Sequence, residues 1–269
     1  DLWMACYTQE EIADREEISQ GEVSKSIPNS SIAEWNKSAQ PSADHLVDFE
    51  IPLYNVWKYK EATGKLKHFG NTEQTIVDNL LYLYTQPFDI VVDPFAGSGS
   101  TGDICKKRHR RYWVSDRKVE PEYENNIRQW DITDGLPQIP RWKDVRLVYL
   151  DPPYWKQSEG KYSKDSSDLS NMDLDSFNKV LSDLINNFSK KLSIGTHIAL
   201  IIQPTQWNAP EHKFTDHVGD MLRLVRLSVE MRFSVPYESQ QYSAQCVEWA
   251  KQNKKCLVLT REIIVWEMK

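Results

Sequence analysis

A glycine-rich turn between an apolar strand and a helix is the feature that most restricts the fold of this chain. Residues 90–92 are apolar and β-branched, residues 93–102 read DPFAGSGSTG, and residues 100–107 have helical character. Glycine lets a ligand approach the backbone closely, and the helix that follows offers unpaired N–H groups and the positive end of its dipole. This order predicts a strand–turn–helix unit of a parallel sheet with a ligand at the turn.

The same alternation of strands and helices extends over most of the chain. The apolar strands that it predicts are residues 90–92, 112–115, 147–150 and 197–202. The helices are predicted at residues 72–85, 100–107 and 174–192. Residues 224–233 and 257–266 are predicted to pair as antiparallel strands at the sheet edge. The pattern indicates an α/β fold with a doubly wound sheet, whose ligands lie beyond the carboxyl ends of the strands.

The first 48 residues differ from the rest of the chain. Residues 1–27 are predicted to form a small helical segment with helices at 8–15 and 20–27, and residues 28–48, rich in Ser, Pro, Ala and Asn, to form a linker. The α/β domain then covers residues 49–269. Because the chain begins at Asp1 without a Met, we interpret it as a piece of a longer protein with an upstream domain.

Composition excludes several classes of protein. The chain has 33 Lys and Arg against 39 Asp and Glu, a net charge of −6, which disfavours a protein that coats nucleic acid nonspecifically but allows a local positive groove. There is no run of about 18 apolar residues, so no membrane span is expected. The four cysteines show no C-x-x-C spacing. We therefore predict neither a metal site nor disulfides, and a cytoplasmic location.

A second motif follows the predicted strand at residues 147–150. Residues 151–155 read DPPYW, and the two prolines make a rigid mount with outward-facing carbonyls. An acid beside an aromatic ring suits a planar substrate that carries an amino group. A plain strand-ending turn is the structural alternative, which the nearby glycine turn disfavours. Trp155 is expected either to help stack the substrate or to pack in the core.

Together the two motifs resemble those of the amino-methylating DNA methyltransferases, the N6-adenine/N4-cytosine family that uses S-adenosylmethionine. DPFAGSG resembles the family's cofactor loop and DPPY its catalytic motif, in that order along the chain. The resemblance implies a Rossmann-like methyltransferase sheet over residues 50–269, with S-adenosylmethionine as cofactor and DNA as partner. Residues 8–25 also resemble, in degenerate form, the helix-turn-helix of ParB-like partition proteins.

The resemblance assigns roles residue by residue. The catalytic residues that it implies are Asp151, Pro152 and Tyr154. The cofactor-binding residues that it implies are Asp93, Phe95, Gly97, Gly99, Asp116 and Asp131. Among these, Asp116 is the expected acid for the ribose and Asp131 the acid for the adenine. Residues 69–72, FGNT, stand where the family's pocket-closing segment precedes the cofactor loop, without its usual His-Pro-Thr-Gln-Lys-Pro wording.

The implied methyl transfer depends mainly on the orientation of the substrate amine, and no metal is expected. An exocyclic amine on a base is a poor nucleophile because its lone pair is delocalised into the ring. The Asp151 carboxylate and the Pro152 carbonyl can accept its hydrogens and aim the lone pair at the methyl group. The base must leave the duplex to reach them, and Tyr154 offers a stacking face.

Several alternatives stay open at this point. Asp151 favours adenine N6, but N4 of cytosine and a base in RNA are alternative targets. The spacing Gly97-x-Gly99-x-x-Gly102 also matches the dinucleotide fingerprint of a nicotinamide-binding oxidoreductase. A third alternative is a catalytically idle DNA-binding module that works through its N-terminal helices.

Two further segments have uses that the sequence does not decide. The basic run at residues 106–111, KKRHRR, is predicted to be a solvated helix end, with phosphate contact as the alternative. Residues 156–173 could close over a substrate or form a disordered loop, and residues 236–255 are an insertion large enough to help select a DNA sequence.

Overall fold

The computed structural model describes residues 2–27, 46, 48–59, 72–119, 126–237 and 242–269. The chain forms two compact units, the first from residues 1–51 and 74–149 and the second from residues 52–73 and 150–269. Most of the predicted linker at 28–48, and residues 69–71 of the predicted pocket-closing segment, lie outside the described residues. The predicted division into residues 1–27, 28–48 and 49–269 stays a prediction.

Two short helices open the first unit, α1 (Gln9–Glu16) and α2 (Gln20–Ser26). Each begins with a reciprocal capping box, in which a hydroxyl residue and a glutamate three positions later bond to each other's backbone N–H groups. These pairs are Thr8 with Glu11 and Ser19 with Glu22. Both predicted helices are confirmed to within one residue at each end, while their likeness to a helix-turn-helix stays a prediction.

The sheet of the first unit is parallel and lies behind the glycine turn. Its strands are β1 (Ile90–Asp93), β2 (Arg111–Asp116), β3 (Arg128–Gln129) and β4 (Val145–Leu150). Its helices are α3 (Gln74–Tyr84) and α4 (Ser100–Lys107). β1 pairs with β2 on one side and β4 on the other, while β3 pairs with β2. The strand order therefore reverses beside β1, which is where such sheets bind their ligands.

The second unit contains an antiparallel set of strands. Its elements are α5 (Leu174–Ser189), β5 (His197–Ile202), α6 (His217–Leu224), β6 (Ser228–Pro236), α7 (Ala244–Gln252) and β7 (Thr260–Glu267). β7 lies between β5 and β6 and runs antiparallel to both. The carboxyl ends of β5 and β6 therefore lie at the same end of the sheet as the amino end of β7.

The predicted α/β class, with antiparallel pairing at an edge, is confirmed. The two edge strands begin three or four residues later than predicted. Leu224 is the last residue of α6, so β6 can begin only after the turn that follows this helix. The apolar residues of β7 are fully buried because β7 has a strand on each side.

The prediction of a solvated helix end at residues 106–111 is wrong for its three arginines. Arg108, Arg110 and Arg111 are only 2%, 3% and 6% exposed. Arg108 makes two hydrogen bonds of 2.6 Å to the carboxylate of Asp78. Arg111 donates to the carbonyl of Trp3 at 3.2 Å and lies over its ring. These guanidinium groups hold the unit together, and burial also excludes them from phosphate contact.

We expect Arg110→Ala to destabilise the protein by about 3 kcal/mol, because hydrogen bonds from a charged donor contribute about 1.5–3 kcal/mol and this donor makes several. Its guanidinium donates to the side-chain and carbonyl oxygens of Thr85, both at 3.0 Å, and to the Arg108 carbonyl at 2.5 Å. Urea unfolding measures the loss. Lys107→Ala is the control, since its exposed ion pair contributes at most about 1 kcal/mol. Equal unfolding free energies for the two variants would contradict this account.

Candidate active site

Asp93 shapes the glycine turn from within. It ends β1 and is buried, and its two carboxylate oxygens accept from the Phe95 N–H at 2.8 Å and the Thr101 hydroxyl at 2.6 Å. These bonds tie the start of the turn to the first turn of α4. Asp93 therefore acts on a ligand through the shape of the turn, and the half-buried Phe95 is fixed beside it.

The two glycines at the turn are required by its geometry. Gly97 and Gly99 have φ values of 50° and 87°, in the left-handed region that favours glycine. Gly99 is the N-cap of α4, and no side chain of the described residues caps that helix. A Cβ atom on Gly99 would lie 3.0 Å from the Cδ1 of Ile127. The N–H groups of Phe95, Gly97 and Gly99 already donate within the protein, so the groups suited to a polar ligand are those in the first turn of α4.

Two carboxylates follow the neighbouring strands. Asp116 ends β2 and is half-buried, and it accepts from the Gly97 N–H at 2.9 Å. Asp131 follows β3 and accepts from the N–H and hydroxyl of Thr133, while its second oxygen pairs with Arg117 at 2.8 Å. The structure brings Asp93, Phe95, Gly97, Gly99 and Asp116 around one turn. Asp131 follows β3, the strand next to β2, and so lies at the same carboxyl end of these parallel strands.

The DPPYW segment belongs to the second unit. Pro152 is buried, and Asp151 and Tyr154 are half-buried. The Thr72 hydroxyl donates a short hydrogen bond to Oδ2 of Asp151. Thr72 is the described residue of the predicted pocket-closing segment, so the structure connects that segment directly with the predicted catalytic acid.

Trp155 is a core residue. It is 5% exposed, and its indole N–H donates to the carbonyl of Met172 at 2.9 Å. Its ring meets the imidazole of His217 edge-on, at 5.5 Å between centroids. Burial lowers the pKa of His217 to about 4, so this imidazole is neutral at pH 7. The alternative that Trp155 stacks on a substrate is therefore disfavoured.

A buried charged cluster next to Thr72 was missed by the sequence reasoning. Arg261, at the start of β7, pairs with Glu73 at 2.7 Å, and both side chains are buried. The same guanidinium lies over the ring of Tyr237 at 4.2 Å. Burial raises the pKa of Tyr237 to about 12, while the charge of Arg261 opposes that shift. Glu73 and Arg261 are 188 positions apart, so no local motif could reveal the pair.

Residues 156–173 fold into turns rather than a disordered loop. The Lys156 N–H donates to the Ser170 carbonyl at 3.1 Å, and the Asn171 side chain donates to the carbonyls of Ser163 and Asp165. Gln157 donates to the Thr205 hydroxyl at 3.1 Å. The segment after the DPPYW motif is therefore held to itself and to the chain that follows β5.

Within the described ranges, no group of three or more His, Cys, Asp or Glu residues is placed to hold a metal ion. None of the helices in that part of the chain has the length and apolarity to cross a membrane.

Comparison with known protein families finds a match to the DNA methylases over less than half of the chain. The family model for N6/N4 methyltransferases, described as DNA methylase, matches residues 10–127, which include the glycine turn and Asp116. The Type II methyltransferase M.XycI of Xanthomonas campestris pv. cyanopsidis is 30% identical over 69 residues, 26% of this chain and 22% of that protein. These matches confirm the predicted resemblance to amino DNA methyltransferases, although the chain matches only about a fifth of that relative's length.

Solved structures with a similar fold are remote in sequence. TrmN from Thermus thermophilus is 13% identical with a TM-score of 0.43, covering 73% of this chain and 49% of that one. A SAM-dependent methyltransferase from Archaeoglobus fulgidus is 15% identical with a TM-score of 0.42, covering 72% of this chain and 94% of that one.

Proposed function

We propose that this chain transfers a methyl group from S-adenosylmethionine to the exocyclic amino group of a base in DNA, with adenine N6 as the favoured target. The observation that carries the proposal is the DPPY motif after β4, whose Asp151 carboxylate is bound by Thr72, in a chain whose glycine turn matches the DNA methylases. N4 of cytosine and a base in RNA are the alternative targets.

The residues around the glycine turn fit the proposed cofactor. The left-handed glycines give the turn its shape in front of α4, and the half-buried Asp116 carboxylate suits the ribose hydroxyls. Asp131 is the proposed acid for the adenine, held in place by Thr133 and Arg117. When bound, S-adenosylmethionine supplies a methyl group activated by a sulfonium. Phe95 and Asp93 complete the proposed site by fixing the turn.

The DPPY segment is proposed to hold the target base. The Asp151 carboxylate and the Pro152 carbonyl accept the hydrogens of the amino group, and Tyr154 stacks on the ring of a base that has left the duplex. These contacts orient the lone pair of the nitrogen. Such positioning and charge complementarity would favour methylation of this nitrogen, which would give up one of its two hydrogens as a proton.

A nicotinamide-binding oxidoreductase is the competing proposal. It rests on the spacing of Gly97, Gly99 and Gly102. A Cβ atom on Gly102, however, would lie 3.3 Å from the ring of Tyr112, so this glycine is explained by the packing of α4 against β2. The family match also favours the methyltransferase.

Calorimetric titration distinguishes the two cofactors. We expect S-adenosylmethionine and S-adenosylhomocysteine to bind the protein and NAD to show no saturable heat. Saturable binding of NAD without any binding of S-adenosylmethionine would overturn the proposed function in favour of the oxidoreductase.

The proposed DNA contact needs another surface, because the arginines at 108–111 are buried. Lys251, Lys254 and Lys255 are exposed at the end of α7, in the connection between β6 and β7. Trp249 of α7 packs edge-on against Trp207, which follows β5, at 5.4 Å between centroids. Lys251 lies in the last turn of this helix, and the backbone N–H groups of Lys254 and Lys255 bond back to its carbonyls. We propose that these three lysines contact DNA phosphates.

Replacing these three lysines with alanine is expected to weaken DNA binding and reduce its dependence on salt. Each phosphate contact contributes about 0.9 to the slope of log K against log salt, so the slope should fall by about 2 or more. Fluorescence anisotropy at several salt concentrations measures it. Lys190→Ala with Lys191→Ala, two exposed lysines just after α5, is the matched control and should leave the slope unchanged. Identical slopes for the triple variant and the control variant would show that the lysines at the end of α7 do not contact DNA phosphates.

A further inference from the structure

We propose that Thr72 is the positioning residue for Asp151 and that the buried Glu73–Arg261 ion pair holds Thr72 in place. The inference rests on the proposed methyl transfer and assigns residues outside both sequence motifs to it. It starts from the hydrogen bond between the Thr72 hydroxyl and Oδ2 of Asp151.

A carboxylate that must accept a hydrogen from a substrate amine needs a fixed direction. The terminal torsion of an aspartate side chain is broad, so its own rotamer preference does not set where its lone pairs point. Asp151 also follows a strand end, where the chain turns away from the sheet. The bond from Thr72 to one carboxylate oxygen fixes the rotation of the whole group. Valine has the same shape as threonine but removes the donor.

The residue after Thr72 is anchored in the interior. Glu73 and Arg261 pair at 2.7 Å with side chains 10% and 3% exposed. Removing one partner of a buried pair leaves an uncompensated charge, so separating Glu73 from Arg261 is strongly unfavourable. Arg261 also lies over the ring of Tyr237, next to the end of β6. The pair thus ties the segment that carries Thr72 to the start of β7.

The charges around Tyr237 link the anchor to the proposed catalytic acid. Asp151, Glu73 and Arg261 all act electrostatically on the Tyr237 hydroxyl. The site therefore contains two carboxylates and one guanidinium. Arg261 provides the positive charge of this group and pairs directly with Glu73.

The test compares Thr72→Val with Thr72→Ser in a steady-state methylation assay on DNA. We expect Thr72→Val to lower kcat about tenfold or more, because a small displacement of a catalytic group has large effects on rate. The dissociation constant for S-adenosylmethionine should change less than about twofold. Thr72→Ser keeps the hydroxyl and should restore most of kcat. Glu73→Gln should also lower kcat, because it removes one charge of the buried Glu73–Arg261 pair.

Thr101→Val is the matched control. It removes the same kind of bond, from a threonine hydroxyl to the carboxylate of Asp93, in the glycine turn. We expect Thr101→Val to weaken S-adenosylmethionine binding, the parameter that Thr72→Val spares. This contrast separates positioning of Asp151 from general loss of a buried hydrogen bond.

Two results would overturn the assignment of Thr72. One is a wild-type kcat for Thr72→Val, and the other is an equal fall in kcat for Thr72→Val and Thr72→Ser, which would show that the hydroxyl is not the cause. A wild-type protein that binds S-adenosylmethionine but methylates no DNA gives a different pattern. That pattern would overturn the proposed function and, with it, this assignment.

Discussion

Replacing Asp151 with alanine is expected to abolish methyl transfer and to leave S-adenosylmethionine binding largely intact. The carboxylate is proposed to act only on the target amine, whereas the proposed cofactor site consists of the glycine turn, Asp116 and Asp131. Loss of orientation and charge at this position should lower the rate by about a hundredfold or more. Asp151→Asn keeps one acceptor oxygen without the charge and should retain a trace of activity at most.

Transfer of tritiated methyl groups to DNA measures the rate, and calorimetry measures cofactor binding in the same preparations. The half-buried Thr72 hydroxyl loses its acceptor in Asp151→Ala, so a urea unfolding curve accompanies the assay to verify the fold. A near-native rate for Asp151→Ala would show that the DPPY motif has a structural role only.

The second large effect is expected for Gly99→Val, which should weaken S-adenosylmethionine binding by about a hundredfold. Gly99 has φ at 87°, and its Cβ would meet the Cδ1 of Ile127 at 3.0 Å. A branched residue in the left-handed region is strained by about 1–3 kcal/mol, and it would also shift the backbone that faces the ligand. Calorimetry with S-adenosylmethionine measures the loss.

Gly195→Val is the matched control for backbone strain. Gly195 also has a positive φ, 79°, but a Cβ there would meet nothing within 4 Å. It lies in the turn between α5 and β5, so its variant should lose stability and keep its cofactor affinity. Equal affinities of wild type and Gly99→Val for S-adenosylmethionine would show that the glycine turn is not part of the cofactor site.

The elements nearest to the two motifs could be predicted because their signals are local. The glycine turn was predicted from an apolar strand and a helix on either side of it, and the first two helices from their helical character. The caps of these helices, Thr8 and Ser19, are also local, because each bonds with a glutamate three residues later. Such signals depend on neighbours within about four residues, so a single sequence contains them completely.

The burial of Arg110 and Arg111 could not be predicted in the same way. A run of cations at a helix end is typical of a solvated surface, where it complements the helix dipole. Here the guanidinium of Arg110 bonds instead to oxygens of Thr85, at the end of a different helix. Only the tertiary fold brings donor and acceptors together. The burial of these arginines therefore contradicts the predicted solvated helix end, and it also disfavours the alternative of a phosphate contact there.

The same limit applies to the residues around Asp151. Thr72 bonds to Asp151 across 79 positions, and Glu73 pairs with Arg261 across 188. Neither contact has a spacing that a motif could carry. An arginine two positions before the apolar run at residues 263–266 is the local sign that a buried partner is needed.

The most direct test of the account is the chemical identity of the modified base. Unmethylated DNA of mixed sequence is incubated with the protein and with S-adenosylmethionine labelled on its methyl group, then digested to nucleosides and analysed by mass spectrometry. The account predicts labelled N6-methyladenine that disappears in the Asp151→Ala control. Label in N4-methylcytosine would change the target base within the same chemistry. Binding of the cofactor without any labelled amino base in DNA would contradict the account.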